Sequence, residues 1–172
     1  MTMPNWCNNT VTISHEDATK IDAIEHELMR DNPELFNSLI PRPAAEEDWY
    51  SWNVNNWGTK WDASIQQYER LDENTITVQF DTAWSPPSKF YYTLLDADYT
   101  VNGMYYEGGM GYAGVFENGN DDYYEYDMND LSTIQALPEE LLEWTGLELS
   151  YEDYHDEESY ERVEHNLDGD EK

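Results

Sequence analysis

The order in which two kinds of hydrophobic periodicity follow one another constrains this chain more than anything else in it. Asn9 to Ile13 alternates polar and apolar residues, with Val11 and Ile13 on one face, as a half-buried strand does. A helix is expected next. Ser14 can cap it with Asp17 three positions on, Ala18, Ile21, Ile24 and Leu28 form an apolar stripe, and Asn32-Pro33 stops it. Period two returns over Asp62 to Tyr68 and Thr75 to Thr82, with Leu71-Asp72-Glu73-Asn74 as the turn and Ile76, Val78 and Phe80 facing inward. Ser85 offers a second cap, with Pro86 at the first helical position, ahead of an apolar face of Phe90, Tyr91, Leu94 and Leu95. Tyr99 to Glu107 reads as a strand again. Strand, helix, strand, strand, helix, strand is the split βαβ order. The expectation is therefore an α+β domain of ferredoxin-like type, an antiparallel sheet with two packed helices.

Two Tyr-rich strands, Tyr112 to Glu117 and Asp122 to Asp127, would extend that sheet through a turn at Asn118-Gly119-Asn120. A short helix opened by Pro138 and ended by Gly146 closes the ordered part, with Leu137, Leu141 and Trp144 along one side. Residues 33–61 form an insertion: an apolar knot at Leu35-Phe36 and Leu39-Ile40, extended Pro41-Arg42-Pro43, then an irregular Trp-rich excursion from Asp48 to Trp61. One domain over 1–150 is expected, since 172 residues suffice for a compact core. From Tyr151 to Lys172 too few aliphatic residues remain to offset ordering entropy, so 151–172 reads as a mobile acidic tail.

Charge narrows the partners. The chain holds 38 Asp and Glu against 8 Lys and Arg, a formal net charge of -30, and Lys89 is the single cation between residues 71 and 161. Direct nucleic-acid binding and anionic membranes are disfavoured, because both need a basic stripe. No apolar stretch approaches the roughly 20 residues of a bilayer span, and no leader pattern opens the chain, so a cytoplasmic protein is expected. The lone Cys7 cannot form an internal disulfide and reads as a small buried side chain; Asn8-Asn9-Thr10 is a sequon without secretory context.

Five blocks carry a resemblance: Met3-Pro4-Asn5-Trp6-Cys7-Asn8, Ile40-Pro41-Arg42-Pro43, Trp57-Gly58-Thr59-Lys60-Trp61-Asp62-Ala63, Phe80-Asp81-Thr82-Ala83-Trp84-Ser85-Pro86-Pro87, and Tyr106-Glu107-Gly108-Gly109. In this order, over about residues 3 to 116, the chain resembles the YubB-type ferredoxin-like family of small proteins from phages, plasmids and genomic islands. The resemblance implies a fold and a mobile-element origin, which for a phage-encoded protein makes the cytoplasm that of the host cell, and it carries no settled biochemical activity. It implies no iron–sulfur cluster, and one cysteine could not bind one.

Motifs for chemistry are weak. Gly109-Met-Gly111-Tyr-Ala-Gly114 matches G-x-G-x-x-G, but Val115-Phe116 runs into the turn at Asn118 where a helix would be needed. The oxygen-rich Glu117 to Asp122 stretch and Asp168-Gly169-Asp170 lack calcium-loop spacing. No cofactor or metal is expected. Two surfaces remain. Asn5, Trp6, Trp57, Lys60, Trp61, Asp62, Trp84 and Glu107 could wall a small-ligand pocket, or could pin the long loop to the sheet; Glu107 with Asp62 or Asp81 is conceivable as a carboxylate pair. Asp121, Asp122, Glu125, Asp127, Asp130, Glu139, Glu140 and Glu143 could form an acidic interaction surface. Strand residues two apart sit about 6.6 Å from each other, near the phosphate spacing, so Asp122, Tyr124 and Tyr126 or Tyr123, Glu125 and Asp127 could present ordered rows resembling a nucleic acid. The expected function is that of a non-enzymatic accessory protein that binds a host or viral protein with a basic surface, in its sharpest form as an acidic mimic. The alternative is ligand binding or catalysis at the Trp/Asn/Lys cluster.

Overall fold

The computed structural model describes residues 3–156 and shows an α+β architecture built on a six-stranded sheet. The chain divides into two compact units between Tyr123 and Tyr124. In the first, β1 (Trp6–Ser14) leads to α1 (Ala18–Leu28), α2 (Leu35–Leu39) and α3 (Trp49–Asn56), then to the hairpin of β2 (Ser64–Asp72) and β3 (Thr75–Ala83). Helix α4 (Ser88–Asp96), β4 (Thr100–Glu107) and β5 (Tyr112–Glu117) follow, and β6 (Asn120–Glu125) runs across the division. The strand order is β2-β3-β1-β4-β5-β6, and the pairs β2/β3, β3/β1, β1/β4 and β4/β5 are antiparallel. No helix among the described residues is long and apolar enough to cross a membrane.

The alternation read from the sequence sets the faces. Val11, Ile13, Ile76, Val78, Phe80 and Val101 are buried against the apolar stripes of α1 and α4, Ile21 and Ile24 on one, Phe90 and Leu94 on the other. Each such side chain contributes about 1.5–3 kcal/mol on burial. Phe36 sits at the centre, its ring 4.5 Å from that of Phe90, 5.7 Å from Phe80 and 5.9 Å from Trp57.

Helix starts differ from the expectation for reasons of backbone. Ser14 is still in β1, paired with Thr75 and Thr100, so the cap of α1 falls to Asp17, whose carboxylate accepts the Thr19 N–H at 3.0 Å. The helix ends at Leu28, ahead of Asn32-Pro33. Ser85 does not cap α4: a proline disfavours helical geometry in its predecessor, so with Pro86 before Pro87 the helix begins only at Ser88. The Ser85 hydroxyl instead donates to the Gly58 carbonyl at 2.9 Å. The stretch expected to be irregular contains α3, capped by Asp48 through the Ser51 N–H at 3.2 Å.

Asn118 and Gly119 both take left-handed φ values, 43° and 106°, making a two-residue turn that starts β6 at Asn120, two residues earlier than expected. In the second unit, Asp130 caps α5 (Leu131–Gln135) through Ser132, Pro138 precedes α6 (Glu139–Thr145), and Gly146 at φ 64° ends it. Tyr126, Ile134, Leu137, Leu141 and Leu147 are buried. The chain is helical again over 147–156, so residues 151–156, expected in a mobile tail, belong to a helix; the rest of that tail lies outside the described residues.

Candidate binding surface at one end of the sheet

Register brings most of the Trp blocks together. Trp6 pairs with Ala83, Cys7 with Glu107, and Glu107 with Tyr112, so the beginning of β1, the ends of β3 and β4, and the beginning of β5 share one end of the sheet. Lys60, Trp61 and Asp62 enter the same end ahead of β2, whose Ser64 pairs with Asp81. Trp57 does not belong to this surface. It is 2% exposed, packs on Phe36 and Trp52, and donates its indole N–H to the Ile40 carbonyl at 3.1 Å. With its ring on Phe36 and its N–H satisfied, it fills the core instead of walling a pocket.

Of the three acids weighed for a carboxylate pair, Glu107 and Asp62 are occupied by backbone. Glu107, buried at the end of β4, accepts the N–H groups of Gly109 and Met110 and so closes the turn into β5. A Cβ on Gly109 would fall 2.7 Å from Asn5 Nδ2 and 2.8 Å from Glu107 Oε1, and one on Gly114 would enter the Tyr105 ring. The glycines thus serve a tight turn and a close strand contact, and a strand follows them. Asp62 accepts the N–H groups of Phe36 and Asn37, both at 2.8 Å, and of Ala63 at 2.7 Å, which satisfies the open start of α2 from across the chain. Burial pushes its carboxyl up to about 6, against these three donors. Asp81 cannot pair with Glu107: it stands opposite Asn8 and Glu107 opposite Cys7, so the two point to different faces of the sheet. Asp81 is held by Asn8 Nδ2 at 2.7 Å and Gln66 Nε2 at 3.0 Å.

Cys7 is fully buried beneath this end, and burial pushes its thiol up to about 12, outweighing hydrogen bonds with Tyr112 and Thr82. Burial thus disfavours the thiolate, the form in which a cysteine attacks. Among the described residues no group of three His, Cys, Asp or Glu side chains could hold a metal ion.

Aromatic rings remain on the outside. Trp6 stacks at a tilt on Trp61, centroids 6.2 Å apart; the Lys60 ammonium lies 4.7 Å from the Trp61 ring and 5.5 Å from Tyr50; Tyr50 meets Trp49 edge-on at 5.9 Å. Trp6, Trp49 and Tyr50 are 38%, 41% and 48% exposed. Trp84 is half exposed with φ 71°, a left-handed conformation rare for a bulky residue. Two bonds hold it there, its N–H to the Asn5 carbonyl at 2.9 Å and the Tyr112 hydroxyl to its own carbonyl. Sequence reasoning missed Trp49 and Tyr50; Asp48 three residues ahead of the Ser51 N–H was the available signal, a helix cap that lifts both rings outward.

The eight candidate acids are all exposed. Asp121 and Asp122 lie in the first unit, the other six in the second. Asp121 accepts the Tyr105 hydroxyl at 2.7 Å, Asp127 and Asp130 accept turn N–H groups, and Glu139 and Glu140 occupy the first turn of α6. The expected phosphate-like spacing through Tyr126 or Asp127 fails because β6 ends at Glu125 and Tyr126 is buried. Acids on this outer strand also fit the ordinary means by which a sheet edge resists pairing with another chain.

No family model matches the chain, and no curated protein does. Among solved structures, the crystal structure of protein api92 from Yersinia pseudotuberculosis, of the DUF1281 family, aligns with a TM-score of 0.39 at 17% identity. The alignment covers 54% of this chain and 39% of that one, so the chain spans well under half of its length.

Proposed function

We propose that this protein is a non-enzymatic binding module of ferredoxin-like fold, an accessory protein of the mobile-element kind, which acts by engaging a protein partner with a basic surface. The order β2-β3-β1-β4 supports the fold reading, since a split βαβ unit places its strands in this way. One observation carries the functional reading. Asp62 and Glu107, the groups best placed for chemistry, are taken up by five backbone N–H groups, while indole and phenol rings at the same end face solvent on a chain of net charge -30. Exposed Trp and Tyr beside acids suit recognition of a cationic surface. Acidic mimicry in the strict sense of two phosphate-like rows has less support than a mixed aromatic and acidic contact.

The test is capture from a host lysate with the full chain immobilised. A basic, nucleic-acid-binding protein retained at low salt, released as salt rises and displaced by DNA, is the expected result. Recovering nothing at low salt would sink the reading.

A further inference from the structure

We infer that the ladder formed by Trp6, Trp61, Tyr50 and Trp49 reads arginine side chains in a basic segment of the partner, and that Lys60 occupies from within the place one of those arginines takes. The inference rests on the proposed basic partner and adds where, and by what chemistry, it is held.

Lys60 is the first reason. In a chain with 38 carboxylates its ammonium rests on two ring faces, 4.7 Å from Trp61 and 5.5 Å from Tyr50, and the ion pairs found among the described residues involve Arg30 and Arg70 instead. Ring faces at this site therefore attract a cation in competition with acids. The surroundings supply the complementary charge: Glu46, Glu47 and Asp48 directly precede Trp49. The ladder is also rigid. Asp48 caps α3, and buried Asn53 donates from that helix to the Lys60 carbonyl at 2.8 Å while accepting from Arg42 at 2.9 Å, so the two segments carrying the rings are fixed to each other before any partner arrives. Pre-organised rings lower the ordering cost of binding.

Arginine suits this arrangement better than lysine. A guanidinium can lie flat on an indole and still direct its N–H groups sideways to carboxylates, whereas an ammonium is a point charge that favours water. The same logic makes Lys60 a weak occupant that an arginine displaces.

The experiment titrates the full chain with two roughly twelve-residue peptides of equal charge, one alternating Arg and Ser and one alternating Lys and Ser, read by indole N–H shifts and tryptophan fluorescence. The arginine peptide is expected to bind several-fold more tightly, shifting Trp6, Trp61 and Trp49. Tyr50→Ala should weaken it about ten-fold and erase the preference over lysine. Lys60→Gln should tighten it about three-fold more than the charge-matched Lys20→Gln, at an exposed position of α1, does. If Tyr50→Ala lowers the melting temperature, the exposed Trp49→Ala serves in its place. Equal affinity for the two peptides, or indifference to both ring variants, overturns the inference and leaves the basic partner to the acids alone. Binding of neither peptide at low salt counts against both readings.

Discussion

The two ends of the sheet differ in what they leave outside once their backbone N–H groups are held. Where β1 begins, the chain spends its carboxylates on backbone N–H groups and leaves rings outside: Glu107 holds the turn into β5 and Asp62 the start of α2, while Trp6, Tyr50 and Trp84 meet solvent. Where β1 ends, neutral side chains share that work with carboxylates: Asp72 accepts the Asn74 N–H at 2.8 Å and Asp17 the Thr19 N–H at 3.0 Å. Asn74 Nδ2 donates to the His15 and Glu16 carbonyls at 2.8 and 2.9 Å, His15 Nδ1 accepts the Asp17 N–H, and a shallow cleft of about 750 Å³ is lined by Ser14, His15, Glu16, Asn74, Asp98 and Thr100. The contrast teaches that an acidic chain does not have to present acids everywhere. It can retire them into turns and reserve a face for flat apolar groups, which a charged rim then makes selective.

Four substitutions and a pH series would break or sharpen that contrast. The largest effect belongs to Asp62. Its carboxyl is pushed up to about 6, so the folded chain keeps this proton where the unfolded chain has lost it. The resulting stability is fully present below about pH 4 and is lost as pH rises through about 6, a change of up to about 3 kcal/mol at roughly 1.4 kcal/mol per unit. Urea unfolding from pH 3.5 to 7 should show this slope in the wild type and lack it in Asp62→Asn; parallel curves would mean the three N–H donors already cancel the burial. Next is Glu107→Gln, which replaces a charged double acceptor by a single neutral one and should cost about 2 kcal/mol. At the other end Asn74→Ala removes two neutral bonds and should cost about 1 kcal/mol. If it costs as much as Glu107→Gln, the two ends are not differently built. Smallest of all is Trp84→Gly, which gives up a half-exposed ring but frees a left-handed residue from strain of about 1–2 kcal/mol; stability should change by less than about 1 kcal/mol. A larger loss would show that the ring packs and is not held out for display.

What could be read in advance follows from how far along the chain each cause reaches. Val11 and Ile13, Ile76 to Phe80, and the stripes of α1 and α4 declare their burial within a few residues, and they are where the strands and helices lie. The caps that Ser14 and Ser85 invite do not form, because a strand register claims Ser14 and consecutive prolines delay the start of α4 past Ser85. The site was legible as a group and not residue by residue. Trp57 and Trp61 stand four apart in similar company, yet one fills the core beside Phe36 and the other lies against Trp6 and Lys60. Only tertiary placement separates them. Asp62 looked like a pocket acid because its role as a cap is exercised on α2, some twenty-five residues upstream.

The position of Cys7 makes the molecule unusually convenient to instrument. Its sulfur is the single thiol of the chain, fully buried under the sheet end where burial pushes its ionisation up, so alkylating dyes and oxidants at neutral pH are expected to react with it only when the fold opens. A reporter cysteine placed at Met110, whose side chain is 74% exposed in the turn next to Trp84's end of the sheet, would then be the one reactive sulfur without any need to delete the native one.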